Sequence, residues 1–197
     1  MQQTINVTTQ QSHDPGGKVK LPLPAGVTGE AFFSECGRYR WLLWRRWPHD
    51  GKDGFALWIG MNPSTAAEDV DDPTVRREWT YTRDRLDLGS YAKANVMDYR
   101  ATHPEDLRAP GIVPQSADNG REIITNARHA AIVVLAFGAL PKPFRRYAAE
   151  IVRRLEAEGI ELWCMGFTKD GSPRHPLYVA GDTQLVRFPR GSYRAEP

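Results

Sequence analysis

Between residues 91 and 165 the chain alternates apolar strand-like runs with amphipathic helical stripes, and this alternation limits the possible folds more than any other feature. Residues 91–97 read as a buried strand, and a helix over about 117–128 leads into Ile132-Val133-Val134-Leu135-Ala136, a core strand. Residues 143–158 carry apolar side chains at 144, 147, 148, 151, 152 and 155, which form one face of a helix with Arg and Glu opposite. Gly159 ends that helix, and residues 160–165 read as another strand. Strands and helices in turn predict a three-layer α/β/α sandwich with a mainly parallel central sheet.

The upstream half adds smaller pieces. Aromatic and aliphatic residues with Arg crowd positions 39–47, a Pro-His-Asp-Gly-Lys-Asp-Gly turn cluster follows, and residues 55–59 are strand-like. The spacing predicts that these two runs pair as an N-terminal β-hairpin. Asp72-Pro73-Thr74 reads as a helix start, with the helix running to about Leu86. Residues 98–116, with Pro104, Pro110 and Pro114, read as loop. Residues 1–30 are polar, rich in Gln, Thr, Gly and Pro, and read as a flexible arm before a single domain over 31–197.

Composition bounds the function classes. Hydrophobic residues at 41% and charged residues at 25% fit an ordinary globular domain, and the longest apolar run, residues 130–140, is too short to span a bilayer. With no basic segment leading into an apolar stretch near residue 1, a cytoplasmic protein without a membrane partner is expected. Cys36 and Cys164 have no Cys or His at zinc-ligand spacing, so they read as buried thiols and no metal is expected. The net charge of +2 does not announce a nucleic-acid binder. Arg outnumbers Lys 20 to 6, which suits phosphate recognition. A GC-rich coding sequence explains that bias equally well. A monomer is the working expectation for the assembly.

In open α/β sheets, sites collect beyond the carboxyl ends of strands. Three loops there carry polar groups: Gly60-Met61-Asn62-Pro63-Ser64-Thr65 after the 55–59 strand, a segment with Asn95, Asp98 and Arg100, and residues 166–178, which include Lys169, Arg174, His175 and Tyr178. Each has a bland alternative. Asn-Pro is a common turn, a strand-end Asn is often a satisfied core amide, and one His before Pro is usually a loop residue. The combination at one end of one sheet is what carries information.

The Gly60-Met61-Asn62-Pro63-Ser64 loop resembles the water-positioning motif of the uracil-DNA glycosylase superfamily, in the form of its mismatch-specific branch. His175-Pro176-Leu177 resembles that superfamily's second motif. Ala94-Asn95-Val96 is similar to its base-reading asparagine, and residues 132–138 to its apolar strand ending in Phe-Gly. Asn62-Pro63-Ser64-Thr65, Asp72-Pro73-Thr74 and residues 171–178 look more closely like a bacterial and phage family whose name records only unknown function, over roughly residues 35–180. Two departures stand out. Asn62 occupies a place where the best-known uracil enzymes carry aspartate, and no serine follows His175-Pro176. Asp71 or Asp72 would have to supply a missing carboxylate, although helix capping is the commoner role for such a residue.

The resemblance implies a monofunctional DNA glycosylase that flips out a modified or damaged base and leaves an abasic site. In that reading Asn62, His175 and Asp72 are catalytic, and Gly60, Met61, Pro63 and Asn95 bind the base. Ser64, Thr65, Lys169, Arg174 and Tyr178 would contact the DNA backbone, with Arg76 and Arg77 as further candidates. DNA is the expected partner, and the chemistry needs no cofactor. A non-catalytic reader of a modified base and a nucleoside or nucleotide hydrolase are the alternatives.

Overall fold

In the computed structural model, which describes residues 19–101 and 103–194, nine strands and three α-helices follow one another along the described chain. Strand β1 (Leu21–Pro22) is followed by β2 (Thr28–Phe33), β3 (Arg40–Arg46), β4 (Lys52–Gly60) and β5 (Val70–Asp71). Helix α1 (Pro73–Tyr81) continues as a π-turn over Thr82–Leu86 and leads to β6 (Leu88–Asn95). Then come α2 (Asn119–Ala127), β7 (Ile132–Leu135), α3 (Lys142–Ala157), β8 (Leu162–Cys164) and β9 (Val186–Arg187).

Seven of these strands form one sheet in the order β2-β3-β6-β4-β7-β8-β9. The sheet is mixed rather than mainly parallel. Its centre, β6-β4-β7-β8, is parallel, while β2-β3, β3-β6 and β8-β9 pair antiparallel. Helical connections enforce the parallel core, because a parallel neighbour needs a long crossover. Next to that centre β3 and β9 run the other way, and β2, antiparallel to β3 in turn, runs with the central strands again.

The expected hairpin between 39–47 and 55–59 does not form. β3 pairs with β2 and β6, and β4 lies between β6 and β7. A nine-residue strand of continuous burial at its end, such as β4, suits a central position with both edges occupied. The hairpin is instead β2–β3, so part of the arm expected over 1–30 is strand. Residues 1–18 of that arm lie outside the described residues.

Helices cover both faces. On one face α2 and α3 bury Ile123, Ile124, Phe144, Ile151, Val152 and Leu155 against Leu57, Ile59, Val133 and Leu135. On the other, α1 buries Val75 and Trp79 against Trp58, Tyr91 and Val134. Alternate residues of one strand thus serve two cores. Helix α1 begins at Asp72, whose Oδ1 accepts from the Val75 N–H at 2.8 Å, with Pro73 in the first turn. No helix among the described residues is long and apolar enough to cross a membrane. Cys164 is buried as expected, but Cys36 is exposed, because it sits in the turn between β2 and β3 where no layer covers it.

Candidate functional site

The four parallel strands end on one side, and a cavity of about 890 Å³ opens there. Gly60, Met61 and Asn62 reach it from the end of β4, and Asn95 from the end of β6. Phe137, Gly138 and Ala139 follow β7, while Thr168, Arg174 and His175 follow β8. The start of α1, Asp72-Pro73-Thr74, closes another side. The volume suits a small-molecule-sized group.

Asn62 is held by its amide. Its Nδ2 donates to Ala101 O at 2.7 Å and to Pro63 O at 3.0 Å, so the acceptor Oδ1 is the end left without a protein hydrogen bond among the described residues. On β6, Tyr91, Lys93 and Asn95 share the face that α1 covers, because strand side chains alternate. Gly60 stands beside them in register with Asn95. A methyl group at Gly60 would lie 2.9 Å from Asn95 Nδ2 and 2.9 Å from Lys93 Nζ, so the absent side chain is what lets both reach the cavity.

His175 opens the short 3-10 turn Pro176–Tyr178, and its Nδ1 accepts from the Leu177 N–H at 3.3 Å. With Nδ1 accepting, the ring proton sits on Nε2. Burial, together with the positive charge of Lys93, pushes the imidazole down to about 4, and the Asp72 carboxylate offsets this only in part. The ring is therefore neutral at physiological pH. Tyr178 stands 5.3 Å away, centroid to centroid, and with Leu177 it is exposed at the cavity mouth.

Two cations in the cavity wall escape a motif-based reading. Lys93 is buried, with Nζ 2.6 Å from both carboxylate oxygens of Glu78, and Tyr91 Oη donates to Glu78 Oε2 at 2.5 Å. Burial raises the Glu78 pKa, against the lowering effects of Lys93 and the Tyr91 hydroxyl. Arg40 is buried as well. Its Nη1 donates to Ala66 O at 2.6 Å and its Nη2 to Asn95 Oδ1 at 3.3 Å, while its Nε has no hydrogen-bond partner among the described residues. The β2–β3 register skips Trp41, and this bulge turns Arg40 away from the face that Leu42 occupies. Burial lowers the Arg40 pKa to about 10, so it remains charged at neutral pH. Lysine inside a buried strand and glutamate on the apolar face of α1 were the available signals, since such residues are rarely buried unless paired.

Other expectations divide cleanly. Gly60, Met61, Asn62, Asp72, Asn95 and His175 are brought together, and Ser64, Arg174 and Tyr178 line the same cavity. Asp72 also caps α1, so its structural role is real whatever else it does. Pro63 is buried and contributes its carbonyl to Asn62 and to the Ala101 N–H instead of lining the cavity. Thr65 is buried with its hydroxyl enclosed, which removes it from any backbone grip. Lys169 is exposed but is not part of the cavity wall.

Asp98 accepts from the Ser116 N–H at 2.7 Å and from its hydroxyl, Arg100 donates to Gly37 O, and Asp71 holds Arg45, Arg76 and Trp79. Arg77 donates to Ala180 O. Asp98 and Arg100 from the second loop, Asp71 on β5 and Arg77 on α1 thus brace the scaffold. Among the described residues no cluster of three or more His, Cys, Asp or Glu is placed to hold a metal ion.

The fold and the cavity define a mixed-sheet α/β protein with a polar, partly cationic site at the ends of its parallel strands. The chain belongs to the family described as "Protein of unknown function (DUF1643)", whose model matches residues 40–177. No curated protein and no solved structure matches it.

Proposed function

We propose that this protein is a DNA glycosylase that hydrolyses the N-glycosidic bond of an extruded, modified or damaged base and leaves an abasic site. The observation that carries the reading is the convergence of Asn62, Asn95 and His175 on one cavity, with the imidazole neutral and its proton on Nε2. Breaking the bond to deoxyribose develops positive charge on the sugar and negative charge on the base. Asn62 Oδ1, steadied by the amide's bonds to two carbonyls, accepts from a water that attacks the sugar carbon. The bond from the sugar to the base breaks ahead of that attack and its electron pair leaves with the base; the water then adds to the cationic sugar carbon, and its proton passes to the departing base anion. His175 donates from Nε2 to the base as that charge appears, an interaction worth ~3–4 kcal/mol in comparable donors. Asn95 reads the base edge. Arg174 and Tyr178 at the mouth are the candidate contacts to the strand, and the similarity of the Asn62 and His175 loops to uracil-DNA glycosylase motifs supports the same reading.

A non-catalytic reader is favoured by one specific feature. Asp72 is the lone carboxylate in the described cavity wall, and one of its oxygens is committed to capping α1. Oligonucleotides carrying uracil, hydroxymethylated or glucosylated pyrimidines, or deaminated purines separate the two when assayed for alkali-labile sites. Cleavage at one base, lost in Asn62→Ala and His175→Ala, is the expected result. Tight base-dependent binding without cleavage means the reader, and neither cleavage nor binding refutes both.

A further inference from the structure

Asn95 holds an unusual combination of contacts. It is fully buried at the cavity wall, its Oδ1 faces Arg40 Nη2 at 3.3 Å, and its Nδ2 has no hydrogen-bond partner among the described residues. A guanidinium has only donors, so the atom facing Arg40 has to be the amide oxygen. The NH2 end then lies toward Gly60 and Lys93, and the Lys93 ammonium, also donor-only, does not compete for the amide oxygen because Glu78 holds it. An unpaired buried amide donor is costly, and a ligand can return that cost by bringing an acceptor.

The neighbouring groups repeat the theme. Arg40 Nε is a second buried donor without a partner, and His175 offers Nε2–H. Lys93 adds a third kind of donor, its ammonium being held by Glu78. Around Asn95 the wall presents mainly hydrogen-bond donors; its acceptors are the Asp72 carboxylate, with Oδ1 turned to the start of α1, and Asn62 Oδ1.

We propose that Arg40 is a positioning residue that locks Asn95 with its NH2 toward the ligand, so that the site selects a heterocycle whose innermost edge carries an oxo acceptor and rejects one with an amino group there. This rests on the reading of the cavity as a base pocket, but the selection acts in binding and does not require that any bond be cut. An amino group at that edge would set N–H against N–H and leave both unpaired. Rejection of that kind is strong, because the unmatched buried donors cannot reach water.

Matched pairs test it: free deoxyuridine against deoxycytidine and deoxyinosine against deoxyadenosine, then the same four bases in otherwise identical single-stranded oligonucleotides. The full chain should bind at least one oxo member about tenfold or more tightly than its amino partner, and the Asn95 side-chain NH2 resonances should move only with the oxo member. In Arg40→Gln, which can donate or accept, the Asn95 amide is free to turn and the ratio should fall toward one. Loss of affinity with an unchanged ratio would assign Arg40 a purely structural role and overturn the proposal. So would equal or better binding of the amino partners by the wild type. If Arg40→Gln does not fold, the wild-type NH2 resonances decide, and their failure to respond to any oxo partner also overturns the proposal. Selection among nucleosides without cleavage of any oligonucleotide would refute the glycosylase and leave the Arg40–Asn95 assignment standing.

Discussion

His175 shows how much chemistry a single burial decision sets. Its imidazole falls to about 4 in the folded chain, against about 6.5 when unfolded. Below pH 6.5 the unfolded state takes up a proton that the folded state refuses, so stability is complete above that pH and declines as pH falls toward 4. The contribution is on the order of 2–3 kcal/mol. Urea titrations of wild type and His175→Gln between pH 7 and pH 4 should show a steeper acid loss in the wild type, and parallel curves would disprove the assignment. Gly60 makes a second residue-scale case. Gly60→Ala puts a methyl 2.9 Å from groups pinned by Arg40 and Glu78, so those side chains must shift. The variant should lose about 1–3 kcal/mol of stability. It should also bind the preferred oxo nucleoside at least tenfold more weakly, as read by calorimetry. Neither effect was legible beforehand, because the motif Gly-x-Asn-Pro identifies a glycine without saying what passes beside it.

At the level of elements, β6 and α1 are joined through charge as well as through packing. Lys93 and Glu78 sit on the one contact face of these elements, and each is buried because the other is there. Lys93→Met removes the cation and strands the carboxylate, a change that typically costs ~3–5 kcal/mol. Glu78 already has a raised pKa, so protonation relieves the penalty. A raised carboxyl is no burden below its unfolded value of about 4.5 and becomes one as pH climbs through the folded value. Chemical denaturation should therefore find Lys93→Met weakest at neutral pH and closest to wild type in acid, with Glu78→Gln/Lys93→Met recovering most of the loss. A pH-independent deficit would mean that packing and not charge is what the lysine provides. The helices themselves were legible, since the stripe on residues 143–158 and the Asp72-Pro73 start give α3 and α1 within a residue or two. Strand partners were not. Residues 39–47 and 55–59 are adjacent in sequence and strand-like, yet nothing local says that β6 will insert between them.

Across the whole molecule, the candidate site was visible as three loops because the parallel crossovers put their ends on one side, and the mixed outer strands do not disturb that. Arg40 was invisible as a site residue, because a bulge formed with β2 aims it at the cavity, and Lys93 was signalled only as a charge inside a buried strand. The same distance between composition and placement governs the grip on DNA. An Arg-rich chain promises many phosphate contacts, but Arg45, Arg46, Arg76, Arg83, Arg121, Arg128, Arg145, Arg153 and Arg187 are all engaged with carboxylates. Near the mouth, Arg174 anchors only its Nε, to Phe167 O, and Lys169 lies exposed on the same loop. Each neutralised phosphate of a single strand contributes about −0.7 to the slope of log K against log salt. Two or three such contacts give a slope of about −1.4 to −2.1, far shallower than a protein that wraps its substrate. Arg174→Ala should lower it by about 0.7 and weaken every oligonucleotide alike, leaving the preference between oxo and amino bases intact. A slope of −5 or steeper, measured by fluorescence anisotropy between 50 and 300 mM salt, would mean that the surface arginines let go of their carboxylates to hold DNA, and that the cavity mouth is the smaller part of the interface.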